Sequence, residues 1–222
     1  MVPASKPDIE SFTWRNLNAD VYLGVHASTI RHYLDDVVLP VLDGIDARHE
    51  ELKRSTEVLA AFELADLDKL RTSTIEAFVL SVQSIWERHF RDYVVSCARE
   101  IRRPASYTDG LKAASWPKLC KAFEELRGIP MTAFDSFADL DLLQLLGNAC
   151  RHGDGISATR LHDRHPELWP NWPPEMVDLF PGPTVEVGNH PGFSAIVIPR
   201  RLLPRLGRVN TNGADHAHSP IL

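Results

Sequence analysis

Hydrophobic positions recur at helical spacing through most of the first two thirds of the chain. Across residues 12–61, Val21, Leu23, Ile30, Leu34, Val37, Val38 and Leu42 fall near the intervals of one helix face. Pro40 interrupts the run; it lacks a backbone donor and its ring crowds the turn before it, so a kink or break is predicted there. Asp66 is placed to cap the next helix, whose body spans residues 69–101. The apolar positions of that helix, among them Ile75, Val79, Val82, Trp86 and Val94, cover a wide arc, which predicts a central helix meeting two or more neighbours. "RRPASYTDG" then reads as a loop, with Pro104 and Gly110 as breakers. Shorter helices are predicted at residues 117–126, from an Asp139 cap to Gly153, and at 157–165 before Pro166.

The pattern changes after this point. Seven prolines between residues 166 and 191 leave no room for a long helix. "TVEV" and "SAIVI" are short β-prone runs joined by "GNHPGF", the pattern of a small hairpin, and a last short helix is predicted at 200–206. The periodicity therefore predicts an all-α protein. A loose lead-in (1–10) precedes an up-and-down bundle of about four main helices (11–168). A Pro-rich appendage with the hairpin (169–208) and a disordered tail (209–222) follow.

Composition narrows the function classes. The 222 residues, 44% of them hydrophobic, suffice for one good-sized core. Residues 1–100 hold 11 Lys and Arg against 17 Asp and Glu, and residues 101–222 hold 13 of each, so the whole net charge of -6 lies in the first part. An extended phosphate-binding face would need a basic excess, so any nucleic-acid contact must be local or built by assembly. Cys97, Cys120 and Cys150 sit in helical segments without CxxC spacing and read as reduced, buried thiols. The N-terminus lacks a basic-then-apolar signal and no apolar run is long enough to span a membrane, which predicts a cytoplasmic protein without membrane contact. No phosphate loop, dinucleotide fingerprint or nucleophile elbow is present, so no cofactor is expected.

The stretch with most chemistry is "LLGNACRHGDG", residues 145–155. On a helical wheel Asp141, Gln144, Asn148, Arg151 and His152 share about a quarter turn, opposite Leu142, Leu143, Leu146 and Ala149. The stripe is expected to point away from the core, either as a solvated face ending at a glycine stop or as a working edge. His152 lies in the last turn, where the helix dipole favours a charged imidazole and Arg151 opposes it. Asn148, one turn earlier, can orient the imidazole or a phosphate.

This stretch, near the end of the last main helix of a bundle, resembles the motif of HEPN domains. The continuation to Leu168 looks like a bacterial subgroup carrying N-x-x-x-H-G-D-G. In HEPN nucleases the helix carries an arginine, a polar residue, three variable residues and a histidine. Asn148 and His152 match the last two, while Gly147 stands where the arginine belongs. The resemblance implies a homodimer whose motif helices meet across a cleft, from a defence or toxin–antitoxin system. Within it, His152 would be the acid/base, Asn148 the orienting group and Arg151 a phosphate clamp for metal-independent RNA cleavage. Gln144, Asp154 and Glu87 would be secondary contacts. The missing arginine removes bidentate phosphate contact and points to a divergent member that binds RNA or a cognate protein without cleaving. Two further constellations carry less. "HDRH" places His162 and His165 three apart, near His152 and Asp154, without a fourth ligand, so no metal site is assigned. Glu87 and Arg91 form an i,i+4 pair, read as a surface ion pair.

Overall fold

A computed structural model describes residues 7–13, 15–57, 59–172 and 190–208. Among them the fold is mostly helical and contains no strand. The first segment is helix α1 (Leu23–His32), a π-helical turn (Tyr33–Val38) and helix α2 (Leu39–Lys53), which run on without interruption. Pro40 therefore neither breaks the helix nor ends it. The Leu39 amide donates to the Leu34 carbonyl, five residues back, so the turn ahead of the proline is widened. A wider turn relieves the crowding that the ring would cause in regular α geometry.

Helix α3 (Ala60–Glu100) is the axis of the bundle and packs against α1, α2, α4, α5 and α6. It begins six residues ahead of Asp66, which lies inside it and caps nothing. The run "AAFELA" consists mainly of strong helix formers and carries the helix N-terminally. The segment read as a loop folds as α4 (Ala105–Lys112): Pro104 sits just before its first turn, where a fixed φ suits a helix start, and Gly110 is tolerated within it. Helix α5 (Trp116–Arg127) stops at Gly128, whose φ of 78° is the left-handed conformation a glycine cap supplies. Helix α6 (Phe137–His152) starts after Ser136, two residues before Asp139. Helix α7 (Ile156–Arg164) follows after the turn at Gly153, which has φ 64° and ψ -135°, a region open to glycine alone.

From His190 on, the described chain follows α6, from Phe193 at Asp154 just past its last turn to Arg205 at Asp139 in its first turn. "SAIVI" forms a 3₁₀ turn (Phe193–Ala195) followed by extended backbone, not a hairpin strand. It makes one ladder-like bond, from the Val197 amide to the Leu168 carbonyl at 2.7 Å. "TVEV" and residues 209–222 fall outside the described residues. Helix α8 (Leu202–Arg208) packs on α1 and α6 and buries Leu202, Leu203 and Leu206. The fully buried centre includes Val79, Leu119, Leu126, Leu143 and Leu146, so α3, α5 and α6 share one core. Among the described residues no helix is long and apolar enough to cross a membrane.

An ion-pair network ties this terminal segment back to the start of the bundle. Arg200 bonds Asp46 at 2.8 Å and also reaches Asp43, and Arg71 Nε donates to Asp46 at 2.9 Å. Partial burial pushes the Asp46 carboxyl up, but its hydrogen bonds to Arg71 and Arg200 outweigh that and hold it below the ordinary carboxylate range. A carboxyl depressed in the folded state stabilises the fold above its unfolded pKa, near 4. That contribution fades as pH falls through the lowered value. Thermal melts of the wild type and Asp46→Asn should therefore differ at neutral pH and converge in acid, as the pH falls through that lowered value.

Candidate functional site

The polar stripe of α6 occupies a seam between two helices. At one border Asp141 pairs with Arg164 of α7 at 2.5 Å. At the other, Gln144 and Arg151 reach Gln83 of α3. Asn148 lies between these borders and is half-buried, while Arg151 and His152 are exposed at the helix end. The expected outward stripe is thus only partly outward: Gln144 is 3% exposed and belongs to the interior.

Gln83 is the hub, and sequence reasoning passed over it because it is a single polar residue within an apolar arc. Its side-chain oxygen accepts from Arg151 Nη2 at 3.0 Å. Its Nε2 donates to Gln144 Oε1 at 3.2 Å and to Glu87 Oε2 at 2.5 Å. Glu87 Oε1 in turn accepts from Arg91 Nη2 at 2.7 Å, and Arg91 Nη1 donates to the carbonyls of Leu111 and Ala114. The Glu87–Arg91 pair is therefore not a solvated surface pair. Its side chains are 29% and 19% exposed, and the arginine binds two carbonyls at and just past the end of α4. A continuous line of hydrogen bonds thus runs from the end of α6, along α3, to α4. Gln144 Nε2 is buried in this line without a hydrogen-bond partner among the described residues.

Gly147 explains how α6 comes so near α3. A Cβ there would lie 2.6 Å from Gln83 Cγ and 2.8 Å from Gln83 Cβ, closer than packed carbon atoms approach. Gly147 is thus a buried helix–helix contact with no room for a larger side chain. Arg151, the neighbour of His152 in sequence, already has one guanidinium nitrogen engaged by Gln83.

Asp154 serves the fold directly. Its Oδ1 accepts from the Phe193 amide at 2.5 Å, holding the returning chain on the α6–α7 junction. Beside it, Asp68, Thr72, Glu76, Gly153, Asp154 and Phe193 line an open cavity of 590 Å³. Burial raises the Glu76 carboxyl there. His165 does not join His162; its Nδ1 pairs with Glu167 Oε1 at 3.0 Å. His162 faces His190 instead, which lies across the Pro-rich segment and gave no local spacing signal.

The thiols are inert neighbours of this region. Burial, with Asp141 adding to it, pushes Cys120 up to about 12, and burial with Glu76 does the same to Cys150. Cys97 is raised by burial as well. Thiols of this kind stay protonated at neutral pH and react slowly. Comparison of the chain with protein-family models, with curated proteins and with solved structures returned no match.

Proposed function

We propose that this chain is an HEPN-like helical binding module of a bacterial defence or toxin–antitoxin system. Its contact point is the exposed end of α6, with His152, Arg151 and half-buried Asn148. The packing of Gly147 on Gln83 carries the reading toward binding rather than catalysis: no arginine fits where the transition-state charge would need one. The acidic balance of the chain supplies no extended field for RNA, so the fitting occupant is a cognate protein, or a second copy of the chain. The second reading, a metal-independent endoribonuclease with a composite dimeric site, rests on the exposure of His152 beside the Arg151 guanidinium.

Incubating the wild type and His152→Ala with structured and unstructured RNA in chelator separates the two. No cleavage by either protein is expected. Cleavage by the wild type that His152→Ala abolishes would replace binding with catalysis. The homodimer has its own test, because the native thiols react slowly. His152→Cys should give a covalent dimer with a short bis-maleimide if two α6 ends meet across a two-fold axis, and the same yield as the wild type if they do not.

A further inference from the structure

His162 and Asp163 on α7 meet His190, the first described residue after the Pro-rich segment. One ligand atom from each of the three lies within 4.8 Å of the other two. His190 Nδ1 is 3.6 Å from Asp163 Oδ1, and the rings of His162 and His190 stand edge to face with centroids 5.6 Å apart. We propose that these three residues bind a divalent transition-metal ion of the zinc class, clasping the C-terminal segment onto α7.

The donor set decides the class of metal. Two imidazoles and one carboxylate are borderline ligands that suit Zn²⁺, Co²⁺ or Ni²⁺ and serve Mg²⁺ or Ca²⁺ poorly. Zinc takes these ligands at about 2.0–2.2 Å, so the cluster must draw in slightly, a movement within reach of side-chain rotation. Asp163 and His190 are 55% and 42% exposed at their side chains, which leaves solvent-facing positions for water on the ion.

The framework around the cluster is already fixed. Trp169 packs its ring edge-to-face on His162 with centroids 5.4 Å apart, and its indole N–H donates to the Gly192 carbonyl at 3.1 Å. The Phe193 amide is held by Asp154. His190 is therefore two and three residues from two anchor points, and its backbone needs little ordering when an ion arrives. His162 Nδ1 is buried and has no hydrogen-bond partner among the described residues, a cost that metal ligation or an ordered second-shell water would remove. The site does not involve His152, and it stands or falls separately from the binding reading above.

Titrating the metal-stripped full-length protein with Zn²⁺ by calorimetry, and with Co²⁺ by visible absorption, tests the proposal. One equivalent should bind, with d–d bands of nitrogen and oxygen ligation and a higher thermal midpoint in zinc. His190→Gln and Asp163→Asn, both at exposed positions, should each weaken binding at least about tenfold while leaving the metal-free melt unchanged. His165→Ala should bind as the wild type does. Absence of stoichiometric binding, or binding that survives His190→Gln and Asp163→Asn, would overturn the proposal.

Discussion

Gly147→Arg, which puts an arginine where the proposed HEPN likeness would call for one, is expected to cripple folding instead of conferring nuclease activity. Two costs combine at this position. A Cβ already meets Gln83 Cγ at 2.6 Å, so α3 and α6 must separate, and overpacking of this kind costs about 1–3 kcal/mol. A guanidinium in the same seam must then be desolvated or must force its way out, and an unpaired buried charge adds about 3 kcal/mol or more. For a chain of this length a combined loss near 4 kcal/mol lowers the thermal midpoint by about 8–16 °C. The contrast with other glycines makes the test specific. Gly44 in α2 and Gly110 in α4 have open space where a Cβ would sit, so alanine there should stabilise by up to about 1 kcal/mol through helix propensity. Gly147→Ala should destabilise despite the same propensity gain. Chemical unfolding of the four variants measures this directly, and a Gly147→Arg protein as stable as the wild type would show that the seam opens easily. Such a protein would also reopen the catalytic reading.

Much of the bundle is legible in residue spacing, and the corrections have a common cause. The wide apolar arc of residues 69–101 does mark the central helix, and the stops at Gly128, Gly153 and Pro166 fall where expected, because glycine and proline act through their own backbone. The misread elements are those where a local signal, a breaker, a cap or a β-prone run, was outweighed by its surroundings. Pro40 is absorbed by a π turn, and Pro104 opens a helix where a loop was expected. The "SAIVI" run, β-prone by composition, has no partner strand among the described residues and settles as a 3₁₀ turn with extended chain. The site is less legible than the fold for a different reason. A helical wheel reports the angle of Gln144 and Gly147 but cannot report that Gln83, sixty residues earlier, lies opposite them. The same holds for His190, whose partners are on α7. Pairings between distant segments leave no mark in periodicity, and both the hub at Gln83 and the His–Asp–His cluster are of that kind.

A comparable loss of stability should come from a contact between the entry turn and α5. Arg127, in the last turn of α5, is fully buried, and its Nη2 bonds Asp20 Oδ2 at 2.9 Å. Asp20, in the 3₁₀ turn Asn18–Tyr22, also accepts from the Tyr93 hydroxyl at 2.8 Å and from the Leu17 amide at 3.0 Å. The Arg127 guanidinium lies over the Tyr93 ring, 5.8 Å from its centre. Burial, with Cys97 and Asp20 adding to it, keeps the Tyr93 phenol protonated far above its ordinary range, so it remains a donor to Asp20. One carboxylate thus joins the entry turn, α3 and α5, and it is itself only 13% exposed. Removing one member of a buried pair takes from the other charge the carboxylate that compensates it. Asp20→Ala should therefore cost about 3–5 kcal/mol, with the Tyr93 hydroxyl and Leu17 amide losing their acceptor as well. Asp20→Asn retains an acceptor oxygen and should cost less. Replacing both charges, as in Asp20→Ala/Arg127→Met, should recover much of the loss, because a well-filled apolar seam competes with a buried ion pair. Urea unfolding followed by far-ultraviolet circular dichroism gives all three values. If Asp20→Ala loses less than about 1 kcal/mol, the range of an exposed pair, then water reaches Arg127 and the pair does not hold the entry turn to the bundle. A large single loss that the double variant repairs would show that the cost lies in the uncompensated charge, with α5 still seated on the central helix by the packing of Phe123 on Phe90 and Tyr93.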